Sequence, residues 1–117
     1  MKYLILLFVV AITSKSFADI LSDAAHAYER GDYTAAITSY EKLAKQGDAQ
    51  AQLNLGWMYD NGEGTPQDYV MAHMLWNIAA ANGDEDAKGY RDKVAGMMTQ
   101  NQIEKAQELA REWMEKY

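Results

Sequence analysis

Residues 49–83 read AQAQLNLGWMYDNGEGTPQDYVMAHMLWNIAAANG and hold one complete helix–loop–helix unit. Apolar residues recur at Ala51, Leu55, Met58 and Tyr59, then at Tyr69, Ala72, Leu75, Trp76, Ala79 and Ala80. These steps of three and four mark two amphipathic helices. Between them lies a polar connection rich in glycine, 60–67, and Gly83 stops the second helix. One such hairpin cannot bury both of its apolar faces alone, so the unit requires neighbours.

A shift of 36 residues supplies them. Asp32-Tyr33 falls on Asp68-Tyr69, Ala36 on Ala72, Tyr40 on Trp76, Ala44 on Ala80, Gly47-Asp48 on Gly83-Asp84 and Ala51 on Ala87. A repeated pair of helices with this period is the signature of a helical solenoid. The fold class expected is therefore all-α, a short αα-hairpin solenoid of about six helices in three hairpins. Its full repeat is 48–83 and its C-terminal capping helix is 99–116. The first helix carries Ala24, Ala27 and Tyr28, with Ser22 as its expected N-cap. The second carries Tyr33, Ala36, Ile37, Tyr40, Leu43 and Ala44 before Gly47 ends it. After Asp84 the third unit runs through Ala87, Tyr90 and Val94 and pauses at 96–98. Thr99 with Gln102 forms a capping box for the last helix. That helix turns Ile103, Ala106, Leu109, Ala110, Trp113 and Met114 inward and a charged face outward.

The beginning of the chain reads differently. Met1-Lys2 is followed by the apolar run YLILLFVVAI (3–12), a polar step, and Ser16-Phe17-Ala18. A signal peptide over 1–18 with cleavage after Ala18 is expected. The apolar run is about half the ~20 residues of a spanning helix, so no stable membrane insertion is expected after cleavage. The mature domain would be 19–117, placed in the periplasm or outside the cell. Losing Lys2 and Lys15 moves the net charge from −6 to −8. A phosphate backbone is repelled by such a chain, which disfavours nucleic acid as a partner. With no cysteine, its stability rests on helix packing.

Ala51, Leu55, Gly56, Tyr59, Gly62, Gly64, Asp68, Ala72, Trp76, Ala79, Ala80 and Gly83 together resemble the Sel1-like repeat, a relative of the tetratricopeptide repeat. The short-looped first unit, AYERGDYTAAITSYEKLA, looks more like an ordinary tetratricopeptide repeat. The third departs from the pattern at the Leu-Gly and loop positions. The resemblance implies a solenoid that binds other proteins, with no catalytic activity and no cofactor. Some exported bacterial relatives act in host interaction, envelope assembly or immunity against secreted toxins.

Residue by residue, little chemistry stands out. The loop DNGEGTPQD lacks oxygen ligands at the third, fifth and twelfth positions of a calcium loop, and reads as a turn in which Asp68 caps the next helix. His26 and His73 lie in different hairpins, with no cysteine to complete a zinc site, and read as exposed or half-buried helix residues. Gly56 inside a helix implies that a neighbouring helix comes too close for a side chain. Trp57 is different. At ~100° per residue it points away from the Ala51–Leu55–Tyr59 stripe, with Gln50, Asn54 and Asn61. Matching places in the other units are Asp23 and His26, then Tyr90 and Lys93. These eight residues are the expected lining of a concave groove for a protein or peptide partner. Alternatively, Trp57 packs against an adjacent helix. The function expected is an adaptor or scaffold. The alternatives are a periplasmic immunity or inhibitor protein that neutralises a secreted toxin enzyme and, third, a cell-wall or β-lactam hydrolase.

Overall fold

Three Gly-Asp pairs set the architecture, at 31–32, 47–48 and 83–84. The glycines take φ of +76°, +93° and +102°, a region open to glycine at little cost. In each pair the Asp N–H then donates back five residues: Asp32 to Ala27 O (2.9 Å), Asp48 to Leu43 O (3.2 Å) and Asp84 to Ala79 O (3.0 Å). This wrapping bond consumes a carbonyl that the helix end leaves unpaired. The side chains of Asp32, Asp48 and Asp68 accept the first-turn N–H groups of Ala35, Ala51 and Met71 and so start the following helices.

The computed structural model describes residues 15–117. They form α1 (Phe17–Glu29), α2 (Tyr33–Lys45), α3 (Ala49–Asn61), α4 (Tyr69–Ala81), α5 (Ala87–Ala95) and α6 (Gln100–Lys116), with no strand among them. The apolar run at 3–12 lies outside the described residues, as does most of the expected signal peptide. Within the described residues no helix is long and apolar enough to cross a membrane. The Thr99–Gln102 capping box forms as expected. Ser22 does not cap α1. The helix begins earlier, at Phe17, where Ser16 Oγ accepts the Asp19 N–H (3.2 Å), and Ser22 is an exposed residue of its middle.

Consecutive helices from α1 to α5 pack antiparallel as a solenoid. The last pair is looser: α5 and α6 both lie on α4 and scarcely touch each other. The core follows this layout and falls into two clusters. The first joins α1, α2, α3 and one side of α4 through Leu43, Leu55, Met58, Leu75 and Ile78, and is closed by Ala110 of α6. The second joins the other side of α4, Ala72, Trp76 and Ala79, to Ala87 and Val94 of α5. Thus α4 is buried nearly all round. His73 of α4 is itself buried at 3 % exposure, contrary to the exposed or half-buried setting expected for it, because α4 is enclosed by neighbours on more than one face. Met114, expected inward, is 44 % exposed on the last turns of α6.

The loop joining α3 to α4 is also a structural part. Both oxygens of Glu63 accept the Tyr28 hydroxyl (2.9 Å each), and Asn61 Nδ2 donates to the same carboxylate (3.2 Å). A Cβ on Gly64 would lie 2.9 Å from the Tyr33 carbonyl oxygen. The loop of the second hairpin is thus clasped to the turn of the first.

Candidate functional site

Trp76 of α4 determines how closely α3 and α4 approach. Its indole lies on Gly56, where a Cβ would come within 2.7 Å of Cδ1, and its Nε1 donates to Leu53 O of α3 (3.1 Å). The close approach inferred for Gly56 is therefore made by one side chain. With the indole so placed, Trp57 on the next turn of α3 meets it edge-on, ring centroids 5.3 Å apart at 73°. Tyr90 of α5 completes the trio, 4.6 Å from Trp57 and 5.6 Å from Trp76. Such tilted and edge-to-face contacts suit the ring quadrupoles.

Trp57 is packed on one side only. Its other side lines a cleft between α1 and α3, so it forms the ridge between two depressions on the face of the odd-numbered helices. The N-terminal cleft, of about 230 Å3, is lined by Ala25, Tyr28 and Glu29 of α1, Tyr40 of α2, and Asn54 and Trp57 of α3. The C-terminal cleft, of about 60 Å3, is lined by Trp57 and Asp60 of α3, Trp76 of α4, and Tyr90, Lys93 and Met97 at α5. The two are related by the repeat. A step of 36 residues takes Tyr40 to Trp76 as floor, and Asn54 and Trp57 to Tyr90 and Lys93 as wall.

Their electrostatics differ. Burial raises the Asp60 carboxyl in the C-terminal cleft, while Lys93 opposes the rise. In the N-terminal cleft burial raises the Tyr40 phenol, Asn54 acts against this, and the negative charge of Glu29 adds to it. The Tyr28 phenol is pushed up to about 12, by burial first and by its hydrogen bond to Glu63 second. Both phenols are therefore neutral at pH 7.

Of the eight residues expected in the groove, Asn54, Trp57, Tyr90 and Lys93 line these clefts. Asp23 and His26 do not. They line a separate depression between α1 and α2, with Lys15 and Arg30. The reason is position: among the described residues α1 is the first helix of the stack, and its face toward α3 meets the N-terminal cleft at Ala25, Tyr28 and Glu29 while Asp23 and His26 face α2. Gln50 and Asn61 are exposed near the ends of α3 and line neither cleft. Trp57 packs on neighbouring helices, as its alternative reading has it, and the same side chain also stands in the walls of both clefts. Tyr28, Glu29, Tyr40 and Asp60 were missed as lining. The repeat carries a signal for part of this, since the same offset that pairs Tyr28 with Tyr59 pairs Glu29 with Asp60.

Comparison with known proteins agrees with this geometry. The family model described as Sel1 repeat matches residues 49–84 and 94–116. The gap between the two matches covers most of α5, where the third unit leaves the pattern. A chain of Rattus norvegicus, protein sel-1 homolog 2, is 39 % identical over 74 residues, which are 60 % of this chain and 11 % of that one. Component HRD3B of an ERAD-associated E3 ubiquitin-protein ligase of Arabidopsis thaliana is 37 % identical over 65 residues, 53 % of this chain and 11 % of that one. This chain thus spans about a tenth of the length of these relatives. Among solved structures, a protective antigen present in uropathogenic Escherichia coli strains, displaying an SLR fold, superposes with a TM-score of 0.80 at 28 % identity, over 86 % of this chain and 22 % of that one. With half of its residues matched by the repeat model and its helices superposed on an SLR fold, the chain belongs to the Sel1 repeat family.

Proposed function

We propose that the chain is a non-catalytic protein-interaction module that receives a segment of a partner protein across the two clefts. The observation that carries this reading is the repetition of the cleft itself: an aromatic floor, Tyr40 then Trp76, beside one shared aromatic ridge, Trp57. Two apolar pockets along one face suit successive side chains of an extended segment, and aromatic residues are the commonest anchors at protein interfaces. Membership of the Sel1 repeat family supports an interaction role. Export through the 1–18 segment, to the periplasm or the medium, belongs to the same proposal and rests on the sequence pattern of that segment.

The test needs a variant that fills a cleft without touching the core. Ala25 lines the N-terminal cleft and is half-buried, so Ala25→Arg serves. A partner is captured from envelope or medium on the full chain, identified, and its affinity measured by calorimetry. Loss of a well-packed anchor predicts at least about tenfold weaker binding to the variant. Equal affinity for a variant with an unchanged circular dichroism spectrum would sink the cleft reading. Mature protein whose first residue is not Asp19, read by N-terminal sequencing, would contradict the expected cleavage.

A further inference from the structure

The two clefts share a wall but not a charge. In the C-terminal cleft the lining holds both signs of charge, Asp60 and Lys93, and Lys93 acts on the Asp60 carboxyl through space although the two form no direct ion pair. In the N-terminal cleft Glu29 is the one charged group in the lining, and it makes no ion pair among the described residues. The adjacent base, Arg30, lines the depression on the other side of α1 with His26. Behind the wall the Glu63 carboxylate takes the Tyr28 hydroxyl with both oxygens, which adds a second negative group next to the cleft. Glu29 is also the last residue of α1, where unpaired carbonyls leave a partial negative charge. Around these charges stand three aromatic rings, Tyr28, Tyr40 and Trp57. Aromatic faces and an uncompensated carboxylate together form a cation receptor.

We propose that the N-terminal cleft takes an arginine side chain of the partner protein, held against the Tyr28 and Trp57 rings with Glu29 as its counter-ion. The inference rests on the clefts being the partner-binding surface and names the chemistry that one of them selects. Arginine is favoured over lysine because its planar, weakly hydrated guanidinium stacks on aromatic rings and pairs with a carboxylate through two donors. A chain of net charge −6 also draws basic segments toward it at low ionic strength.

A library of random twelve-residue peptides displayed on phage is selected on the full chain. The best peptide is then synthesised together with a version in which arginine is replaced by citrulline, its neutral isostere. Both are titrated into the native chain and into Glu29→Gln, a change at an exposed position. The expected result is enrichment of arginine at one position and about tenfold weaker binding on citrulline replacement. Glu29→Gln brings a similar loss for the arginine peptide and none for the citrulline peptide, the mark of a direct pair. Enrichment of lysine or of no basic residue overturns the arginine assignment, and so does indifference to Glu29→Gln. If those peptides still lose affinity for Ala25→Arg, the cleft reading stands without it. If no peptide is selected, or if Ala25→Arg binds all of them unchanged, the cleft reading itself fails.

Discussion

At Gly56 the indole of Trp76 occupies the place of a side chain. Gly56→Ala is expected to destabilise the domain by about 1–3 kcal/mol through overpacking, although alanine is the better helix former by about 1 kcal/mol. A lowered urea midpoint with unchanged slope is the readout, and an increase in stability would refute the close contact. The need for a glycine there was legible in the sequence, because a residue so costly to a helix requires a reason. Gln52 was not legible, since a polar residue in a helix looks the same whether it faces water or the core. It is fully buried, donates to Ala44 O (2.9 Å) at the end of α2, and accepts from Asn82 Nδ2 (2.9 Å) at the end of α4. Gln52→Leu is expected to cost about 1–3 kcal/mol by leaving these groups unpaired, read in the same urea titration. His73 gives a pH dependence. Burial holds its pKa below the ordinary 6.5, Arg91 adds to this, and Asp92 opposes it. The unfolded chain therefore takes up the proton more readily. Its contribution to stability is complete above pH ~6.5 and is lost as the pH falls through the folded pKa. His73→Gln should flatten the fall in urea midpoint below pH ~6.5 relative to the native chain, and an unchanged slope would show that the histidine is not responsible.

Among the elements, α4 and α6 hold the arrangement. One side of α4 belongs to each cluster of the core, and α6 closes the first cluster with Ala110, Leu109 and Trp113 while its charged residues face water. A chain ending at Met98 should lose cooperative unfolding and self-associate through the uncovered side of α4, measured by circular dichroism melts and sedimentation velocity. A monomer with a sharp melt would show that α6 is dispensable. The helix boundaries at the Gly-Asp pairs were legible because the two residues carry both signals, a left-handed glycine and a capping carboxylate. The start of α1 was not, because Ser16 and Ser22 are equally good caps in isolation. Half of the candidate site followed from register: once Trp57 is assigned, the repeat gives Tyr90 and Lys93. The other half depends on which helices flank which, and among the described residues the cleft beside α1 lies on its α3 side. That is why Glu29 lines a cleft and His26 does not.

The molecule as a whole is a solenoid whose contacts run mainly between neighbours along the chain, which is why a single strong unit and its period were enough to read the fold. Its N-terminal end would respond to the cleavage proposed after Ala18: a cut there would fall within the first turn of α1 and remove the Ser16 cap together with Lys15, which pairs with Asp23. A chain starting at Asp19 should be less stable than one starting at Lys15 by about 0.5–2 kcal/mol, mostly from the lost cap, since an exposed ion pair adds little. Equal melting temperatures would show that α1 recaps itself. The junctions at 47–48 and 83–84 have a different consequence. They repeat the same bonds 36 residues apart, Asp48 to Leu43 and Asp84 to Ala79, Gly47 to Ala44 and Gly83 to Ala80. Residues 48–83 therefore begin and end on interchangeable joints. A second copy inserted after Gly83 would meet the first as α3 meets α2, so such a protein can be lengthened by whole units, adding one cleft each time and leaving both ends as they are.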